Sequence, residues 1–155
     1  MKPVPESIAA FLRGRRFAVA GVSRSGRQPS NAIFTRLRDC GYEVFAVNPA
    51  ASEVAGEPCY PNLRSVPAAL DGVVIATPPA ASADVVRQCA ELGVTRVWFH
   101  RSIGDGSVST EAIDACRTHQ IAPIVGGCPM MYCGRVDVFH KCMRWWFSRN
   151  GRIPG

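Results

Sequence analysis

Five short apolar runs constrain this chain more than anything else in it. Each empties into small or turn-forming residues, and a segment long enough for a helix or an irregular crossover separates it from the next. The runs are Phe17–Val22, Tyr42–Val47, Gly72–Thr77, Arg96–His100 and Ile121–Val125. The first, Phe17-Ala-Val-Ala-Gly-Val22, is almost continuously apolar, as a strand covered on both faces must be. Between the runs, Ile33, Phe34 and Leu37 recur at helical spacing before Gly41, with Ser30 expected as N-cap. Val85, Val86, Cys89 and Leu92 recur before Gly93 and are expected to point inward, and a further helix spans 109–119. A short helix over 7–13 stops at Gly14, the stretch around Cys59-Tyr60-Pro61 reads as irregular, and 65–70 as one or two helical turns.

Strands alternating with helices at this spacing require parallel pairing, right-handed crossovers and helices above and below. The expected fold is α/β, a doubly wound Rossmann-like sheet of five parallel strands with helices on both faces. A chain of 155 residues, 47% apolar and 19% charged, is a globular domain's composition. Residues 1–133 are expected to form it, and 134–155 a basic, aromatic extension. The formal charge of +6 suits nucleic acid or a polyphosphate ligand equally. No apolar run approaches the roughly 20 residues that span a bilayer. The start, Met1-Lys-Pro-Val-Pro-Glu6, has no signal-peptide pattern. Seven cysteines without such a signal are read as reduced thiols, so a cytoplasmic protein with no membrane partner is expected.

Ligands of such sheets bind beyond the carboxyl ends of the strands. Those positions hold Gly21-Val22-Ser23, Asn48-Pro49, Thr77-Pro78-Pro79, His100-Arg101 and Gly126-Gly127-Cys128-Pro129. Gly21 lets backbone approach a phosphate without a Cβ in the way. Ser23 adds a hydroxyl, while Arg24 and Arg27 offer guanidinium forks. The helix start near Ser30 to Ala32 presents free amides to the same anion. A Walker A loop fails because Arg27-Gln28 follows Gly26, and the Gly-x-Gly-x-x-Gly pattern fails at Ser23. Neutral Asn48 stands where NAD binders place an acid on the ribose diol, so NADP or coenzyme A suits the site better than NAD.

The segments Val19-Ala-Gly-Val-Ser23, Gly41-Tyr-Glu-Val-Phe-Ala-Val-Asn-Pro49, Cys59-Tyr-Pro-Asn-Leu63, Thr77-Pro-Pro79 and Gly127-Cys-Pro129 resemble the small bacterial and archaeal CoA-binding proteins. Those are stand-alone Rossmann domains similar to the CoA-binding domain of succinyl-CoA synthetase, and the resemblance runs from Phe11 to Met131. It implies that Gly21, Val22, Ser23 and Arg27 hold a pyrophosphate. It also implies that Asn48 and Pro49 border the adenosine and that Thr77, Pro78 and Pro79 pack along the ligand. The family pattern Trp-x-Gln-x-Gly is replaced by Trp98-Phe-His-Arg-Ser-Ile-Gly104, which puts His100 in the glutamine's place. The implied ligand is coenzyme A or an acyl-CoA, bound by a non-catalytic carrier or regulatory protein. The phosphohistidine domain of the ligases has no counterpart in these residues. An NADP-binding oxidoreductase-type protein is the alternative, although no Tyr-x3-Lys donor pair is present.

His100 and Cys128 at two strand ends make a Cys/His nucleophilic pair conceivable, with Asp105 as a weak third member. The plainer reading is a hydrogen-bonded loop histidine and a small buried thiol, and no catalytic residue is assigned. Cys128, Cys133, His140 and Cys142 have a C-x4-C-x6-H-x-C spacing that fits structural zinc poorly, so no metal ligand is assigned either. A thiol beside the CoA thiol could form a mixed disulfide, with Cys128 or Cys133 as the candidate. In the tail, Val138, Cys142, Trp145 and Trp146 would share a helical face. Docking of that face on the sheet is the favoured reading. A homodimer contact and a nucleic-acid or membrane patch remain the alternatives, and RNA would need the aromatics exposed for stacking.

Overall fold

The computed structural model describes residues 3–101 and 106–153, and each of the five apolar runs contributes a strand to it. The chain order is α1 (Glu6–Leu12), β1 (Arg16–Ala20), α2 (Pro29–Asp39), β2 (Glu43–Val47), β3 (Glu53–Val54) and β4 (Glu57–Tyr60). It continues with β5 (Gly72–Ile75), α3 (Pro79–Glu91), β6 (Arg96–Phe99), α4 (Thr110–Thr118), β7 (Ala122–Val125) and α5 (Val138–Arg149). The strands form one sheet in the order β3-β4-β2-β1-β5-β6-β7. Only the β3–β4 pair is antiparallel.

The sheet therefore has seven strands rather than the expected five. The stretch read as irregular is a hairpin turning through Ala55 (φ 53°) and Gly56 (φ 76°), both left-handed. Its second strand adds to β2 through Ala46↔Cys59 and Val47↔Tyr60. Strands of two and four residues are too short to display an alternation, and Ala-Gly is not the Asn-Gly signal of such turns. Helix α2 starts one residue before the expected cap. Pro29 occupies its first position, where the missing N–H costs nothing, and Gln28 is the flanking residue. The single helical turn near residue 65 covers Leu63–Ser65, held by the Asn62 side chain accepting from the Ser65 amide at 3.0 Å.

Alternate residues of the strands feed two cores. Phe17, Val19, Val74, Trp98 and Ile124 face α1, α2 and α5 together with Phe11, Ile33, Phe34 and Leu37. Ala18, Ala20, Val73, Ile75, Val97 and Phe99 face α3 and α4 with Val86, Cys89 and Cys116. Trp98 is fully buried, and its indole N–H donates to the Gly126 carbonyl at 3.0 Å, so the one polar atom of the largest core side chain is satisfied. Leu92, expected inward, is 46% exposed because α3 ends at Glu91 and the chain turns away at Gly93.

The tail also differs from expectation. Helix α5 does dock, but through Phe147, with Met143 partly buried beside it, whereas Val138, Trp145 and Trp146 are exposed. Its inner face is set by contacts that hydropathy does not show. Asp137 caps the helix by accepting from the His140 amide at 2.9 Å, and the Arg144 guanidinium lies 4.5 Å from the Tyr132 ring centre. Cys40 after α2 and Cys133 are expected as separate reduced thiols, and the fold brings their sulfurs against each other, with Cα atoms 6.4 Å apart across 93 residues of chain. No spacing rule in the chain marks that pair.

Where β1 leaves the sheet, its backbone runs against the end of β5. A Cβ on Gly21 would lie 2.6 Å from the Ala76 carbonyl oxygen and 2.8 Å from the Thr77 nitrogen, and Gly21 has φ +97°. Gly21→Ala is expected to lower the melting temperature by more than about 4 °C, from backbone strain of about 1–3 kcal/mol plus the clash. Thermal unfolding followed by circular dichroism measures it. At the opposite end of the sheet, the Asp71 carboxylate accepts from the Arg15 and Arg16 amides at 2.7 and 2.9 Å, which holds its pKa below the ordinary aspartate value. The stability this supplies is present above an unfolded-state pKa of about 3.9 and disappears as pH falls through the lower folded value. In acid titrations, Asp71→Asn should therefore be less stable than the parent at pH 6, with the difference shrinking toward pH 3.

Candidate functional site

Strand β1 leads through α2 to β2 on one side, while β5, its other neighbour, leads through α3 to β6 and β7 on the opposite side. The carboxyl ends of β1 and β5 are thus the point where strand order reverses, the place such sheets leave a crevice. A cleft of 360 Å³ opens there. Gly21, Ala76, Thr77 and Pro78 supply its floor, Gln28, Pro29 and Ser30 the start of α2, and His100 and Ser107 the far wall. The starts of both α2 and α3 border it, and their unpaired amides and dipoles favour an anion.

Of the residues singled out in the sequence, Gly21, Thr77, Pro78 and His100 line this cleft. Val22 is fully buried behind it, and Ser23, Arg24 and Arg27 lie on the loop between β1 and α2. Pro49 and Pro79 are exposed and do not line it. Asn48 is turned into the fold, its Nδ2 donating to the Val22 carbonyl at 2.6 Å while its Oδ1 accepts from the Ala50 amide at 2.8 Å. Both ends of the amide are engaged in holding the β1 exit. An aspartate cannot donate to that carbonyl, which is a local reason for a neutral residue here irrespective of any ribose.

The loop is braced by a residue the sequence did not mark. Asn31, 7% exposed on the first turn of α2, accepts the Ser23 N–H on Oδ1 at 3.0 Å and donates from Nδ2 to the Ser23 carbonyl at 2.8 Å. Ser23 Oγ is partly engaged as well, accepting from the Ser25 amide at 3.2 Å. These bonds leave the amides of Arg24, Arg27, Gln28 and Ser30 without an acceptor among the described residues. The Arg24 and Arg27 side chains make no ion pair or hydrogen bond there either. A loop held at one residue, with free N–H groups and two exposed arginines along it, offers the kinds of donor an oxyanion requires. Asn31 carried one visible signal, a weak helix former inside a helix start.

The opposite wall is a hydroxyl relay. Ser82, fully buried in α3, donates to the Ser107 carbonyl at 2.6 Å, so the 2.9 Å contact between Thr77 Oγ1 and Ser82 Oγ is donated by Thr77. Both Thr77 lone pairs then remain for the cleft. His100 donates its amide to Ile75 and accepts from the Ser107 amide at 3.1 Å. Burial pushes its imidazole pKa below the usual histidine value, so the ring is neutral at pH 7. A neutral ring can donate and accept hydrogen bonds in the cleft without adding charge.

Nucleophilic chemistry finds little support in the geometry. Cys128 is buried and its thiol is pushed up to about 12, far from a thiolate at neutral pH. Cys133 lies against Cys40 and does not line the cleft, and Asp105 lies outside the described residues. Among those residues no three His, Cys, Asp or Glu side chains converge on a point where a metal ion could sit.

Comparison with known proteins gives this cleft a context. A family model described as a CoA binding domain matches residues 15–134, from just before β1 to the end of the turn after β7. Acetate–CoA ligase [ADP-forming] II of Archaeoglobus fulgidus is 32% identical over 79 residues, which cover 50% of this chain and 12% of that enzyme. Ligase I of the same organism is 34% identical over 77 residues, again 50% of this chain and 11% of the enzyme. The chain therefore spans about an eighth of the length of these curated relatives. Among solved structures, a hypothetical protein from Pyrococcus horikoshii OT3 superposes with a TM-score of 0.74 at 25% identity, covering 84% of this chain and 94% of that one. The dinucleotide-forming acetyl-coenzyme A synthetase 1 of Ca. Korarchaeum cryptofilum gives 0.61 at 25% identity, covering 74% and 25%. With the family match extending over most of the chain, from ahead of the first strand to beyond the last, this protein belongs to the CoA-binding domain family.

Proposed function

We propose that the cleft between the β1 and β5 ends binds coenzyme A or an acyl-CoA, and that the protein acts inside the cell as a non-catalytic carrier or regulator of that ligand. The observation that carries this reading is the braced loop of residues 23–30. Its free amides lead into the start of α2 at the mouth of the cleft, and Arg24 and Arg27 lie exposed on the same loop. In this reading the pyrophosphate sits on that loop. Thr77, Pro78 and neutral His100 line the path of the remaining ligand, and Asn48 acts from behind by fixing the Val22 carbonyl. The buried, protonated Cys128 supports a binding role over acyl transfer.

Isothermal titration and thermal-shift measurements with CoA, acetyl-CoA, NADP and NAD test the proposal. Stabilisation by CoA or acetyl-CoA and not by the nicotinamide nucleotides is expected, and a response confined to NADP would replace this reading with the oxidoreductase one. Arg27→Glu should raise the CoA dissociation constant at least about tenfold, since a charge-assisted hydrogen bond contributes about 1.5–3 kcal/mol. Asn31→Ala touches no ligand atom in this arrangement. It should nevertheless weaken CoA by a similar factor through the released loop, whereas a merely structural role would lower the melting temperature and leave the affinity of the folded protein unchanged.

A further inference from the structure

Helix α5 lies beyond the family-matched residues and carries a surface that the cleft does not use. Its inner side is committed, with Phe147 buried, Met143 partly buried, and Arg144 stacked on Tyr132. Outward it presents Val138 at 75%, Phe139 at 66%, Trp145 at 53% and Trp146 at 48% exposure, which are four of the six large apolar side chains exposed among the described residues. Val138, Cys142 and Trp145 follow one another at i, i+4 and i+7, and Phe139 and Trp146 form the adjoining row. The stripe is flanked by cations alone. Residues 134–153 hold Arg135, Lys141, Arg144, Arg149 and Arg152, against a single acid, Asp137, which is engaged with His140. Arg149 and Arg152 stack over Trp145 and Trp146 at 4.5 and 5.2 Å, so two of the charges lie directly against the aromatic rings.

We infer that α5 is an interfacial anchor that lays its aromatic stripe on an anionic phospholipid surface. An apolar strip with tryptophans, bordered by Lys and Arg, is what such a surface selects. The helix is already fixed to the domain along its inner side, so only one face is available. That suits a plane better than a groove that must close around a helix. A symmetric contact with a second copy would set these cations against their own kind. RNA would use the rings, but it gives no role to Val138 and is served less well by rings whose faces are covered by the protein's own guanidinia. The expected absence of a membrane partner rested on the lack of an apolar run long enough to span a bilayer. No described helix meets that requirement, and surface binding does not need one.

The test is flotation of the full chain with vesicles of phosphatidylcholine alone and of phosphatidylcholine mixed with phosphatidylserine, at low and high salt. Retention on the anionic vesicles, weakened by salt, is expected, with little on the neutral ones. The exposed double variant W145S/W146S should lose at least tenfold in partitioning, and K141E should lose at least about fivefold for the cation removed. Unchanged circular dichroism and an unchanged melting temperature would show that both remain folded. Absence of retention, equal retention on neutral vesicles, or undiminished binding by the double variant overturns the inference. So does tighter binding to a single-stranded RNA oligonucleotide than to the vesicles, or a concentration-dependent dimer in sedimentation that the double variant abolishes.

Discussion

The contact on which the rest of this molecule depends is the close approach of backbone to backbone at Gly21, where the end of β1 runs against Ala76 and Thr77 beyond β5. A side chain there would collide with a carbonyl that has no freedom to move. The two strands lie side by side, yet their chains depart to opposite faces, α2 into one layer and α3 into the other. The junction therefore closes the sheet at its centre and leaves the crevice above it open. The cleft is a consequence of topology, and its polar lining is a consequence of where strands must end.

Around that junction, polar side chains mostly serve backbone. Asn31 brackets Ser23, Asn48 bridges Val22 and Ala50, and Ser82 joins Thr77 to Ser107. Each uses both a donor and an acceptor, which explains why an acid or an aliphatic residue of similar size would not replace it. The result is a preorganised mouth in which the groups left over are N–H donors, with two exposed arginines on the adjoining loop. Binding to such a mouth costs little ordering of the protein. This division of labour separates side chains that hold the backbone of the cleft from groups that remain open within it.

The tail illustrates the opposite case. Hydropathy alone favours burying Trp145 and Trp146, and the helix buries Phe147 instead. The reason lies in neighbours distant in the chain. The bond from Arg36 to the Arg135 carbonyl tethers the segment leading into the helix, and the Arg144–Tyr132 stack occupies its inner side. Cys133, in the same segment, packs against Cys40 at the end of α2.

From the residues alone, the continuous apolar runs dictated a two-faced parallel sheet, because nothing else buries both sides of such strands. The residues at their ends, Gly21, Thr77, Pro78 and His100 among them, could be located before any coordinates by the rule that ligands lie beyond carboxyl ends. The β3–β4 hairpin was illegible because strands that short carry no period. The roles of Asn31 and Ser82 were illegible because a hydrogen-bonding side chain does not announce its partner. Which face of α5 turns inward, which cysteines meet, and which backbone groups Asn48 bonds were decided only in three dimensions. Those outcomes depend on contacts between segments tens of residues apart, whereas strand and helix follow from the spacing of neighbours.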